Sequence, residues 1–244
     1  MKTVDKKEVI SSQSAEFIQQ AETGKFLKLI PDTFVIKMEN GNLGYAIRHL
    51  NLQDMILIDT TEKGAQKAVK KLVEEGYKIK GILLTHKAAV DNAYASLKTI
   101  SEDAGGAPIF THPVNTHDAE FTTKDINAKN NIFEHFSISV RDFPAKNGEA
   151  AVIYSEINDG MVFAGNSAIG EDFESDKKGF NRPDLGSENK NLSLAESWRT
   201  YMWEFSYFFP HQGKPGFNLS EGEQKDIIIK LGQTGYSGGG NPSL

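Results

Sequence analysis

The sequence predicts a fold of the α/β (α+β) class, a four-layer αββα sandwich of two mixed β-sheets flanked by helices. Short apolar runs and helical segments occur together twice, around residues 26–105 and again around 136–209. Hairpin turns accompany a strand–helix–strand unit, so antiparallel and parallel pairing are both expected. Two sheets packed face to face, with the helices outside, would bury this pattern well.

Length and composition indicate a single domain. Sandwiches and barrels of 244 residues commonly fold as one unit, and a hydrophobic content of 39% supplies a sizeable core. We expect that domain to span residues 1–244. Within it, residues 1–22 form an N-terminal extension and residues 232–244 a loose, glycine-rich tail.

Charge and residue usage exclude several classes of function. A net charge of −6 argues against nucleic acid as a partner, because phosphate binding needs clustered Lys and Arg. The sequence has no cysteine, which excludes disulfides, thiolate nucleophiles and cysteine-ligated zinc. Residues 1–20 are too polar for a signal peptide, and no apolar run approaches the roughly 20 residues of a spanning helix. We therefore expect a cytoplasmic protein without a membrane partner.

The first elements are predicted to be antiparallel strands. Apolar and β-branched residues dominate segments 26–30, 33–38 and 44–48. Asn40-Gly41 lies between the second and third segments and is typical of a hairpin turn, because both residues tolerate positive φ.

A strand–helix–strand unit is predicted next. Residues 55–58 and 79–84 are apolar runs, and residues 65–73 carry apolar side chains at helical spacing. A unit of this length is one right-handed crossover and implies parallel pairing. Asp59 directly follows the first strand, and Thr85-His86 follow the second. We expect Asp59 and His86 at the carboxyl edge of the sheet, where α/β proteins bind their ligands.

The later elements follow from weaker patterns. They are a helix over 90–100 closed by Gly105-Gly106, a strand over 107–111, a strand around 136–141, a hairpin of 150–157 and 161–164, an aromatic-rich helix over 192–209 and a final helix over 220–231. Residues 115–131 show no clear pattern. Residues 170–190 form a charged loop, long enough for a lid or an exposed excursion.

Five separated segments resemble, in order and spacing, the motifs of the metallo-β-lactamase-fold hydrolases. They are Met-Ile-Leu-Ile-Asp-Thr at 55–60, Gly-Ile-Leu-Leu-Thr-His at 81–86, Pro-Ala-Lys-Asn at 144–147, Val-Phe-Ala-Gly-Asn at 162–166 and Phe-Pro-His-Gln-Gly at 209–213. That family has Pro-Gly-His-Thr at the third segment, Gly-Asp at the end of the fourth and Pro-Gly-His at the fifth. The resemblance covers most of the chain and implies the αββα sandwich.

The resemblance also implies a metal centre, usually a zinc pair that lowers the pKa of a bridging water so that hydroxide forms near neutral pH. The family's first motif is His-x-His-x-Asp-His. Counting from His86, Ala88 replaces the second His and Val90 replaces the Asp. Asp91 stands in place of the third His, or, with a one-residue insertion, Asp91-Asn92 aligns with the Asp-His pair.

The family's later ligands have changed as well. Lys146 stands in place of a His, Asn166 replaces the bridging Asp, and the closing His is kept as His211. The retained candidates for catalysis or for metal ligation are therefore His86, Asp91 and His211, which leaves a degenerate metal site. We expect no cofactor, with zinc as the alternative.

Four further residues are candidates for ligand binding: Lys146, Asn166, Asn92 and Asp59. Lys146 either points into the cleft and anchors an anion or turns outward to solvent. Asp91 either orients His86 or caps the following helix. In the family the residue at Asp59 supports the site from behind.

Two functions remain open from the sequence. One is a non-catalytic, hydrolase-like relative that binds a small molecule or a protein partner in the old cleft. The other is an active hydrolase of a small ester, thioester or lactone, acting through a rebuilt or mononuclear site. Aromatic residues between 198 and 209 could line the cavity or contact a partner subunit, so homo-oligomers are also open.

Overall fold

The computed structural model describes residues 16–61, 65–116, 121–176 and 179–234. Most of the expected N-terminal extension and of the expected glycine-rich tail lies outside the described residues, and the domain boundaries stay predictions. Within the described ranges, no helix has both the length and the apolar character needed to cross a membrane.

The first sheet has seven strands, in the spatial order β1 to β7. They are β1 Phe26–Ile30, β2 Thr33–Lys37, β3 Leu43–Arg48, β4 Asp54–Ile58, β5 Lys78–Leu84, β6 Ile109–Thr111 and β7 Lys124–Asp125. Pairing is antiparallel from β1 to β4 and parallel from β4 to β7. The expected parallel crossover between β4 and β5 is confirmed.

The second sheet has four strands and is also mixed. They are β8 Ile138–Pro144, β9 Glu149–Ser155, β10 Met161–Gly165 and β13 Tyr207–Pro210. The short strands β11 Ile169–Gly170 and β12 Phe180–Asn181 pair only with each other. The spatial order is β13-β10-β9-β8, with β10 and β13 parallel and the other neighbours antiparallel. The β9–β10 hairpin confirms the turn predicted at residues 158–160.

In the described ranges, five helices cover the outer sides of the two sheets: α1 Ala65–Glu74, α2 Lys87–Ala93, α3 Leu97–Asp103, α5 Glu188–Arg199 and α6 Glu221–Gly232. The short helix α4 Asn131–His135 instead packs against the central cluster through Phe133. A 3₁₀ turn at Tyr94–Ser96 separates α2 from α3, where the sequence predicted one continuous helix. The break still allows apolar residues of both helices to be buried against the sheet, among them Val90 and Leu97.

Three apolar clusters fill the spaces between the layers. The central cluster joins the two sheets and includes Ile56 and Phe163. A second cluster lies between the seven-stranded sheet and α1 to α3, and a third lies between the four-stranded sheet and α5 and α6. Each sheet is therefore buried on both faces, and the predicted αββα sandwich is confirmed.

The helix predicted over 192–209 is wrong in its second half. Helix α5 ends at Arg199, and the aromatic residues from Tyr207 onward form β13 instead. Phe208 packs into the outer cluster and Phe209 into the central cluster, as successive side chains of a strand point to opposite faces. The aromatic residues on every side of this segment are what a strand buried on both faces requires, rather than the mark of a helix.

Candidate functional site

The carboxyl ends of β4 and β5 bring Asp59, Thr85 and His86 into one hydrogen-bonded chain. Asp59 accepts from the Thr85 backbone N–H at 2.8 Å and from Thr85 Oγ1 at 2.6 Å. Thr85 Oγ1 lies 2.8 Å from His86 Nδ1. A carboxylate only accepts, so the Thr85 hydroxyl donates to Asp59 and accepts from His86 Nδ1–H. The neutral ring of His86 therefore carries its lone pair on Nε2.

Asp59 holds this chain in place from a strained backbone position. Its φ is 51°, in the left-handed region that a residue with a side chain seldom adopts, and Asp and Asn tolerate it better than most. All three residues are almost fully buried, at 2%, 1% and 3% exposure. Such a buried carboxylate needs both hydrogen bonds from Thr85 to offset the cost of its burial.

The end of β13 places His211 against His86. His211 Nδ1 lies 2.9 Å from the carbonyl oxygen of Leu43, which can only accept, so this ring also carries its proton on Nδ1. The two ring centroids are 4.7 Å apart, with the planes at 64°. Both side chains are thus fixed in the tautomer that metal-ligating histidines use, with Nε2 as the basic atom.

Gly165, at the end of β10, ties the second sheet to this pair. Its carbonyl accepts from the His211 backbone N–H at 3.0 Å. A Cβ on Gly165 would lie 2.2 Å from Thr85 Oγ1, so the two strand ends are in close contact. Asn166 follows directly, next in sequence to the residue that contacts Thr85 and the His211 backbone. Its Oδ1 is buried and has no hydrogen-bond partner among the described residues.

Asp91 and Asn92 lie outside this cluster, on the exposed face of α2. The carboxylate of Asp91 accepts from Lys87 Nζ, four residues earlier on the same helix. Asp91 is therefore paired within α2 and does not cap a helix. Its predicted role in orienting His86 stays a prediction.

Lys146 points outward rather than into the cluster. Its side chain is exposed, and its Cε lies close to Gly186, just before α5. Its carbonyl accepts from Lys190 Nζ at 2.9 Å, which attaches the loop after β8 to α5. The charge of Lys146 is therefore in solvent, away from the buried histidines.

Asn115, which no sequence pattern indicated, anchors the Lys146 loop from the other side. This fully buried side-chain amide donates to the carbonyl of Glu149 at 2.7 Å and accepts from its N–H at 3.1 Å. It thus makes the two hydrogen bonds that the backbone of a neighbouring strand would make. A Cβ on Gly148 would lie 2.0 Å from Asn115 Oδ1, so the contact depends on glycine. No local signal could have shown it, because the partners are 34 residues apart.

Tyr45 supports the site from the central core. Its ring packs 5.4 Å from Phe163 and 5.2 Å from Phe209, and its hydroxyl donates to the carbonyl of Pro210 at 2.7 Å. Burial raises the pKa of Tyr45 well above its ordinary value, and the negative charge of Asp59 raises it further. Tyr45 therefore stays a neutral donor that fixes the residue before His211.

These residues do not fit a zinc pair. Zinc sites use at least three protein ligands drawn from Cys, His and carboxylates. The described residues contain no group of three His, Cys, Asp or Glu side chains that could hold a metal ion. Two histidines remain, and Asn166 offers a neutral oxygen where a bridging anion is required.

We expect Thr85→Val to lower the free energy of unfolding by about 2 kcal/mol, because it leaves a buried carboxylate with one hydrogen bond fewer. It should also release the tautomer of His86, which ¹⁵N NMR of the imidazole would detect. Thr111→Val is the matched control: Thr111 is also fully buried at the end of a neighbouring strand, but its hydroxyl has no partner among the described residues. A loss of stability as large in the control would contradict the role of Thr85.

Comparison with known proteins supports the fold alone. The chain matches no family model and no curated protein. Among solved structures, the metallo-beta-lactamase DIM-1 is 14% identical with a TM-score of 0.58, over 84% of this chain and 96% of that one. TMB-1 is 15% identical with a TM-score of 0.58, over 85% and 96%. A beta-lactamase domain protein from Burkholderia ambifaria is 12% identical with a TM-score of 0.56, over 87% and 76%. The chain therefore has the metallo-β-lactamase fold that its motifs predicted.

Proposed function

We propose that this chain is a hydrolase-like protein that binds a small molecule in the cleft at the carboxyl ends of β4, β5, β10 and β13, without zinc-dependent hydrolysis. The observation that carries the proposal is the composition of these strand ends: two histidines held in one tautomer, and a buried, neutral Asn166 directly after β10. This arrangement keeps polar, directional groups but lacks the anions that a pair of divalent ions requires.

The placement of the other candidates supports the same conclusion. Asp91 is paired with Lys87 on the exposed face of α2, and Lys146 extends towards α5. Neither brings charge to the histidines. The proposal includes the remaining expectations from the sequence: a cytoplasmic protein with a degenerate metal site and no nucleic-acid partner, able to associate with copies of itself.

A second candidate is a metal-independent hydrolase of a small ester, thioester or lactone. The hydrogen-bonded chain from Asp59 through Thr85 leaves His86 Nε2 basic, as a general base requires. Nε2 would take a proton from water as the water oxygen attacks the carbonyl carbon, and would return it to the leaving group. Hydrolysis of an ester panel that disappears in His86→Gln, without loss of folding, would establish this function in place of the first.

Elemental analysis of the purified protein, followed by zinc titration, tests the proposal. We expect no tightly bound metal and weak zinc binding. Asn166→Asp should then bind zinc at least about tenfold more tightly, about 1.4 kcal/mol, because it adds a carboxylate at the position where the family has its bridging Asp. Asn92→Asp is the control, since it makes the same change in charge on the exposed face of α2. Near two equivalents of zinc in the unaltered protein would overturn the proposal.

A further inference from the structure

The sequence contains two Asn-Gly pairs, and the fold holds them differently. One is Asn40-Gly41, in the turn between β2 and β3, and the other is Asn147-Gly148, in the loop between β8 and β9. Glycine has no side chain, so its backbone nitrogen can approach the side-chain amide of the preceding asparagine closely. Such a pair is open to deamidation, a reaction in which that nitrogen attacks Cγ of the asparagine.

Hydrogen bonds restrain both partners of the first pair. The Gly41 N–H donates to the carbonyl of Met38 at 2.9 Å, and Asn40 Oδ1 accepts from the Asn42 N–H at 3.0 Å. The attacking nitrogen has to lose its proton, and the asparagine side chain has to turn its Cγ towards that nitrogen. Both hydrogen bonds oppose these changes, so we expect Asn40 to react slowly in the folded protein.

The second pair lacks both restraints. Among the residues that the structure describes, none makes a hydrogen bond with the Asn147 side chain or accepts one from the Gly148 N–H. Asn147 is also exposed, so water reaches its side chain. The groups that must react are therefore available at Asn147-Gly148, whereas they are engaged at Asn40-Gly41.

We propose that Asn147-Gly148 is a site of spontaneous deamidation in the folded protein. The Gly148 nitrogen forms a bond to Asn147 Cγ, the Cγ–Nδ2 bond breaks, and ammonia leaves with the proton that the Gly148 nitrogen has lost. Water then opens the cyclic succinimide at either of its carbonyl carbons. The product is an aspartate, or an isoaspartate in which the main chain runs through Cβ and Cγ. The reaction consumes only water and releases only ammonia.

The isoaspartate product loosens the loop at a buried contact. It lengthens the main chain by a methylene group just before Gly148, where a Cβ would already lie 2.0 Å from Asn115 Oδ1 and 3.7 Å from Lys87 Cβ. A shift of Gly148 also moves Glu149, which makes two hydrogen bonds with the side chain of Asn115. Loss of these bonds leaves a buried amide unsatisfied and lowers stability. Because Lys87 directly follows His86, the disturbance lies beside the end of β5.

Mass spectrometry of aged protein tests this proposal. The folded protein is incubated in mildly alkaline buffer and then digested with pepsin in acid, which suppresses further deamidation. We expect Asn147 to react at least about tenfold faster than Asn40, because two hydrogen bonds restrain the first pair. In denaturant the two pairs should react at similar rates, since the fold no longer distinguishes them.

Two variants separate the reaction from its consequence. Asn147→Gln should abolish the reaction, because a glutamine would have to close a larger ring, so its thermal unfolding should not change with ageing. Asn147→Asp introduces the negative charge without lengthening the main chain, and the freshly purified variant should unfold at the temperature of the fresh, unaltered protein. The aged, unaltered protein should unfold at a lower temperature than either.

The relative rates decide the proposal, independently of the ligand-binding function above. Equal rates at Asn147 and Asn40 in the folded protein, or a faster reaction at Asn40, would overturn it. A fast reaction at Asn147 with an unchanged unfolding temperature would support the modification site and contradict the loosening of the Asn115 contact.

Discussion

Gly165→Ala is expected to lower the free energy of unfolding by about 3 kcal/mol or more. The added methyl group would lie 2.2 Å from Thr85 Oγ1, and φ at this position is 52°. The two strand ends cannot separate freely, because Gly165 also accepts from the His211 backbone. Chemical denaturation of both proteins would measure the loss.

Gly105→Ala is the matched control for backbone strain. Its φ is 72°, and a methyl group there would have no neighbour within 4 Å among the described residues. This variant should cost about 1 kcal/mol, the strain of a left-handed alanine. An equal loss in the two variants would show that the close contact between Gly165 and Thr85 contributes nothing to stability.

Trp198→Ala should also be strongly destabilising, by about 4 kcal/mol, because it empties the centre of the outer core. The ring is fully buried, 4.7 Å from Phe143 and 5.6 Å from Phe208. Its Nε1 donates to the carbonyl of Ser167 at 3.0 Å. Loss of that hydrogen bond should also loosen Asn166, which directly precedes Ser167. Ligand binding at the proposed site should therefore weaken together with stability.

Trp203→Ala provides the comparison within the same aromatic stretch. Trp203 is half-buried and stacks on Tyr154, with the ring centroids 5.0 Å apart. Its truncation should cost about 1 kcal/mol. Thermal unfolding followed by circular dichroism would rank the two variants, and an equal loss would contradict the assignment of Trp198 to the core.

The elements that could be predicted from the sequence are those whose structure is determined by residues close together in the chain. The crossover from β4 through α1 to β5 is local, and its periodicity predicted the strand ends at which Asp59 and His86 lie. The β9–β10 hairpin followed from its turn residues, which adopt positive φ at Asn158 and Asp159. His211 was a candidate site residue because of a short motif, and the structure places it directly after β13, 4.7 Å from His86 between ring centroids.

Features that depend on distant partners could not be predicted. The direction of Lys146 follows from contacts with Lys190 and Gly186, and the position of its loop from Asn115. The exposure of Asp91 depends on which face α2 turns towards the sheet, and the alignment of residues 86–92 with the family's first motif left two registers open. The helix predicted over 192–209 was wrong in its second half for the same reason. Phe208 and Phe209 pack on opposite faces of the second sheet, and the residues that they contact there are distant in the sequence.

The hydrogen bonds of His211 have a consequence for the history of the protein. The Leu43 backbone N–H donates to the carbonyl of His211 at 2.8 Å, and His211 Nδ1 returns a bond to the Leu43 carbonyl at 2.9 Å. The residue thereby joins β3 of one sheet to the end of β13 in the other. Natural selection for folding alone would keep a histidine at this position, so the presence of His211 does not by itself indicate a past or present metal site or catalysis.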